Sequence, residues 1–131
     1  MSYCILTNNP LAEEEFGKTH NVVFVDGKFM DVLIKARDMI NQGFVLLNHP
    51  LYGSVKPNET PFRSLLLRNP GRSVNGGFPA TDTDSVRLIG NAINAFGKFT
   101  VKKDVTDPQI IEDFEVVDLS LLKNAVASAD R

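Results

Sequence analysis

The sequence contains no tryptophan, a single cysteine and two histidines. With Cys4 alone there is no internal disulfide to form. Cys4 lies in an apolar run, where it reads as a small buried hydrophobe rather than a reactive thiol. His20, His49 and Cys4 fall at no recognisable zinc spacing, so no metal is expected, and no other cofactor. No apolar run approaches the ~20 residues that span a bilayer, and no membrane association is expected. The opening "MSYCILTNNP" lacks the basic segment and apolar stretch of a secretory signal, so the expected location is cytoplasmic. A formal net charge of −2 supplies no field to attract nucleic acid.

What remains is an ordinary apolar fraction, 43% of 131 residues, which suits one domain spanning 1–131. Short β-rich runs, "YCILT" (3–7), "NVVFVD" (21–26), "FVLLN" (44–48) and "SLLLR" (64–68), read as strands. Between them, 11–18 reads as a short helix and 28–43 as a longer one. In the longer one Phe29, Val32, Leu33, Ala36, Met39 and Ile40 make an apolar stripe, and Gly43 is the stop. A third helix over 81–99, capped by Thr81, Asp82 or Thr83, turns Val86, Ile89, Ile93 and Phe96 inward. Thr106 with Gln109 reads as a capping box for a short helix to about Phe114. "EVV" then reads as extended, and Asp118 as the cap of a last helix over 119–128. The Gly- and Pro-rich stretch at about 69–81 reads as a flexible insert.

Strand–helix–strand–helix–strand alternation points to an α/β fold. The expected form is a three-layer sandwich with a mostly parallel sheet of about four strands, like a Rossmann-like or flavodoxin-like half domain with C-terminal helices added. In such sheets ligands bind beyond the carboxyl ends of the strands, where the strand order reverses. For the order 2-1-3, that crevice lies between the first and third strands. It is flanked by "NNP" (8–10) and the long loop "NHPLYGSVKPNETPF" (48–62). The expected ligand-binding residues are therefore Asn8, Asn9, His49, Gly53, Ser54, Lys56, Asn58, Glu59 and Thr60. Gly53 frees backbone amides, Lys56 brings charge, the hydroxyls and the amide supply polar contacts, and the prolines stiffen the loop. His49 serves equally well by bonding a neighbouring backbone group, and Tyr52 is expected to pack the loop onto the domain. No nucleophile–base pair stands at a recognisable spacing, so catalytic residues are unassigned.

The segments "ILTNNPL", "GKFMDVLIKARDMINQGFVLLNHPLYGSVKPNETPFRSLLL", "DSVRLIGNAI" and "DFEVVDLSLL" resemble the GrdX family over nearly the whole chain. The resemblance is strongest in "HPLYGSVKPNETPF". It implies a setting beside the glycine, sarcosine and betaine reductase systems of amino-acid fermentation, but no reaction. The leading expectation is a module that binds a small anion or carboxylate metabolite through the 48–62 loop. The alternatives are a small enzyme acting on a phosphorylated or acylated metabolite, using Lys56 and His49, or an assembly factor for the reductase. The expected partners are thus a small ligand, reductase components and, as a homodimer, a second copy of the chain.

Overall fold

The computed structural model describes residues 2–52, 60–71, 79–98 and 106–131. Residues 72–78, which make up most of the insert expected to be flexible, lie outside them. The elements run β1 (Tyr3–Thr7), α1 (Pro10–Phe16), β2 (Asn21–Phe24), α2 (Phe29–Asn41), β3 (Val45–Leu46), β4 (Ser64–Arg68), α3 (Thr83–Lys98) and α4 (Pro108–Ala129).

The sheet order is β2-β1-β4-β3. β1 and β2 pair in parallel, Cys4 opposite Asn21 and Thr7 opposite Phe24. β4 runs antiparallel to both its neighbours, β1 and β3. The sheet is therefore mixed rather than mostly parallel, and β1 and β3 point the same way without touching. This removes the expected crevice between the first and third strands. The physical reason lies in the connection after β3. A parallel return needs a crossover of a dozen or more residues, usually a helix. The 48–62 stretch, with its three prolines, carries no helical apolar period. β4 instead returns antiparallel and lies between β3 and β1.

Helices cover both faces. Alternate residues of β1 and β4 point oppositely, so Cys4, Leu6, Leu65 and Leu67 pack with α2 and α3, while Ile5 and Leu66 pack with α1 and α4. The α2 stripe is buried as its spacing dictates. Phe29 stacks on Phe96 of α3 with ring centroids 4.8 Å apart. α3 is rotated from expectation: Ile89 and Ala92 are buried, with Leu88, Ile93 and Phe96 packed around them, while Val86 is 41% exposed. Asp82 caps it, accepting from the Ser85 amide (3.0 Å) and hydroxyl (2.7 Å). The Ser85 Oγ in turn accepts from the Leu46 amide at 2.9 Å, which satisfies a buried N–H of edge strand β3. Gly43 leaves α2 at φ +102°, a conformation that disfavours side chains, and a Cβ there would lie 2.8 Å from Pro79.

α4 is one continuous helix where two helices and an extended link were expected. Its cap is Asp107, which accepts from the Gln109 amide at 2.9 Å, with Pro108 at the first helical position. Val116 and Val117 sit on its exposed side, where β-branching lowers helix propensity only slightly. Asp118 is not a cap. It lies in mid-helix and is buried.

Candidate functional site

The strand ends nearest the 48–62 loop carry a concentration of buried polar side chains. Thr7, Asn8, Asn9, Thr60, Arg63, Ser64 and Asp118 are all buried. On the α4 face they form a directed chain. The Asn9 amide donates to Thr7 Oγ1 (2.9 Å), and Ser64 Oγ donates to Asp118 Oδ2 (2.7 Å). The Ser64 proton is thereby committed, so Thr7 donates to Ser64 across the 2.7 Å between their hydroxyls. Asn9 Nδ2 adds a second donor to Asp118 Oδ2 at 3.0 Å and also reaches the Glu115 carbonyl at 2.9 Å. Asn9 Oδ1 accepts from Leu11 N, capping α1.

On the α2 face Asn8 works as a clamp. Its Nδ2 donates to the carbonyls of Gly27 (3.0 Å) and Pro61 (2.8 Å), and its Oδ1 accepts from the Arg63 amide (2.9 Å). Both asparagines thus commit their amide protons within the protein. They tie the 8–10 turn to the far end of the long loop and to α4.

Arg63 lies behind this clamp, 1% exposed. Its guanidinium sits between two rings, 5.0 Å from the Phe29 centroid and 4.9 Å from that of Tyr52. Its Nη1 donates to the Tyr52 carbonyl at 2.8 Å, but Nε has no partner. Burial holds the guanidinium below its usual pKa, with the Asp118 charge opposing that shift. Burial, then the same Asp118 charge, pushes the Tyr52 phenol up to about 12. Among the described residues Arg63 Nε and Asp118 Oδ1 lack a hydrogen-bond partner, and Asn48 Nδ2 and Tyr52 Oη have none at full hydrogen-bond geometry, although Asn48 lies near enough to the Tyr52 hydroxyl to oppose the upward shift of its pKa. Asn48 Oδ1, by contrast, accepts from Leu66 N at 2.9 Å. Native interiors rarely leave such atoms bare, and here Arg63, Tyr52, Asn48 and Asp118 are close enough to act on one another's charge or hydrogen bonding.

Of the residues expected from sequence to bind a ligand, Asn8, Asn9 and Thr60 are brought to this strand end. The Thr60 hydroxyl accepts from the Phe62 amide at 3.2 Å. His49 is exposed, its Nδ1 accepting from Leu51 N at 3.0 Å, the backbone bond that was one of its two readings. Gly53, Ser54, Lys56, Asn58 and Glu59 lie outside the described residues. Sequence reading missed Arg63 and Asp118. Both carried a signal: Arg63 keeps the two-residue period of inward Leu65 and Leu67, and Asp118 keeps the four-residue spacing of buried Leu122 and Val126.

Other chemistry is sparse. Cys4 is buried, which raises its thiol pKa and makes it a poor nucleophile. Among the described residues no group of His, Cys, Asp and Glu is placed to hold a metal, and no helix is long and apolar enough to cross a membrane. The fold and site together define a small mixed α/β protein with a polar hub at one end of its sheet.

The family model for GrdX-like proteins matches residues 4–127. The chain belongs to the GrdX-like protein family. No curated protein and no solved structure matches it.

Proposed function

We propose that this protein is a small-ligand binding module working beside the glycine, sarcosine and betaine reductase systems. In this reading Arg63 receives the anionic or carboxylate group of a metabolite at the end of the sheet where β4 begins. The observation that carries it is Arg63 itself: a guanidinium 1% exposed, with no ion pair among the described residues and a bare Nε. A buried charge is expensive unless paired, and two aromatic faces only partly compensate. Lys56, on the loop that joins Tyr52 to Thr60, adds a second positive charge to the same segment.

The test is a melting-curve screen of the wild-type protein with phosphate, acetyl phosphate and small carboxylates at millimolar concentration. A ligand present at a hundred times its Kd stabilises by about 2.7 kcal/mol, a readily seen shift. Arg63→Met abolishes that shift. Silence across the screen in the wild type would overturn the reading.

A second reading, an assembly factor for the reductase, is favoured by a separate observation. Ile110, Val116 and Val117 leave apolar surface exposed along α4. Co-purification with reductase subunits, lost on Val117→Glu, would support it.

A further inference from the structure

The two edges of the sheet are finished differently. At the β3 edge Ser85 Oγ closes the Leu46 amide at 2.9 Å. At the β2 edge no side chain does the same among the described residues. The Val25 amide donates to the Thr7 carbonyl at 2.8 Å. Along a strand the backbone groups alternate between its two sides, so Asn21 and Val23 also face β1. The N–H and C=O groups of Val22 and Phe24 therefore face outward, and among the described residues nothing bonds to them. β2 carries no proline and no charged residue, and its pairing with β1 runs without a bulge. These are the usual guards of a free edge, and the one present is the strand's length of four residues. Phe24, on the same strand, is 37% exposed.

The occupant this edge specifies is a second copy of itself. Residues directly opposite in an antiparallel pair point to the same face. With a twofold axis through Val23, Val22 of each copy lies opposite Phe24 of the other, and both belong to the face that packs on α1 and α4. Those are also the two residues whose backbone groups face outward, so each Val22–Phe24 pair exchanges both of its hydrogen bonds. The pairing sets a β-branched side chain against an aromatic ring and covers Phe24. It also brings the exposed Asp26 of each copy to the turn holding Lys18 and His20 in the other, so acid meets base at both ends. We infer that β2 is a self-pairing edge, through which two copies of the chain join their four-stranded sheets into one continuous sheet. So short an edge buries little surface, which makes the dimer a reversible one. The inference stands apart from the ligand reading and from the exposed face of α4.

Sedimentation equilibrium of the full chain, from micromolar to near-millimolar concentration, tests this. The wild type should move from the mass of one chain toward that of two. Val22→Pro removes an N–H that faces away from β1, the edge position where proline is tolerated. It should keep the far-ultraviolet circular dichroism of the wild type and weaken association by about tenfold or more, since two N–H···O bonds go. Val86→Lys and Val117→Lys, at exposed positions of α3 and α4, should leave association as it is. Amide exchange on the wild type gives a second measure that needs no variant. The Val22 and Phe24 amides should become protected as concentration rises, while those of Val23 and Val25 are protected throughout. A wild type that stays monomeric over the whole range overturns the inference. So does a dimer that Val117→Lys dissociates, or one that forms while the Val22 and Phe24 amides exchange as fast as before.

Discussion

Replacing Arg63 by methionine separates a charge kept for function from one kept for the fold. Methionine fills much of the arginine stem's volume and removes the charge. Three favourable contributions disappear. The charge-assisted bond to the Tyr52 carbonyl is worth about 1.5–3 kcal/mol. The two ring contacts, at 5.0 and 4.9 Å, are worth about 0.5–2 kcal/mol each. Against them stands the penalty of holding a guanidinium out of water, several kcal/mol, with no ion-pair partner among the described residues to offset it. These nearly cancel, so Arg63→Met should unfold in urea within about 2 kcal/mol of the wild type at an unchanged m-value. Arg63→Ala should lose more, because it also opens a cavity between Phe29 and Tyr52. Breaking a true buried ion pair loses about 3–5 kcal/mol. A loss of that size in Arg63→Met would refute the reasoning and make Arg63 a structural clamp.

The alkaline limb of stability follows from the tyrosines. Tyr52 titrates at about 12, above its ordinary 10.0, so the folded state favours the neutral phenol. Its contribution is complete below pH 10 and is lost as the pH rises toward 12. Tyr3 is shifted the same way by burial and by its bond to Asp130, so tyrosinate absorbance, with no tryptophan to obscure it, should rise later in the folded chain than in urea. An onset near pH 10 in both states would contradict the buried setting of Tyr52. Ser85→Ala should destabilise by about 1–3 kcal/mol in urea, because it strands the buried Leu46 amide. A loss below about 0.5 kcal/mol would mean that water reaches that edge and replaces the hydroxyl.

The parts of the fold legible in the sequence were those set by local period. The α2 stripe and the runs that became β1 and β4 bury the residues their spacing names. Strand order was not legible, because it depends on which distant segments pair: Tyr3 lies opposite Arg68, and no local pattern encodes that. α4 was cut in two because Val116, Val117 and Asp118 each carry a local signal against a helix interior. Packing of Leu122 and Val126 overrides it. The site was legible only as a neighbourhood. Asn8, Asn9 and Thr60, among the residues expected to bind, lie at the end of the sheet where buried polar side chains gather. Arg63 and Asp118 read locally as a strand flank and a helix cap, and their meaning appears only when β4 and α4 meet.

The separation in sequence of the hub's members has a consequence for its assembly. Asp118 reaches back to Asn9 across 109 positions and to Ser64 across 54. During synthesis the hydroxyls of Thr7 and Ser64 emerge long before the carboxylate that completes their chain. The helix carrying that carboxylate docks against α1 and β4, both of which precede it in sequence. Contacts of such long range form late and are sensitive to anything that loosens the final helix. Loosening α4, by trimming Leu122 or Val126 far from the hub, therefore dismantles the hub together with the apolar seam. In this molecule, docking α4 and completing the polar centre are one event.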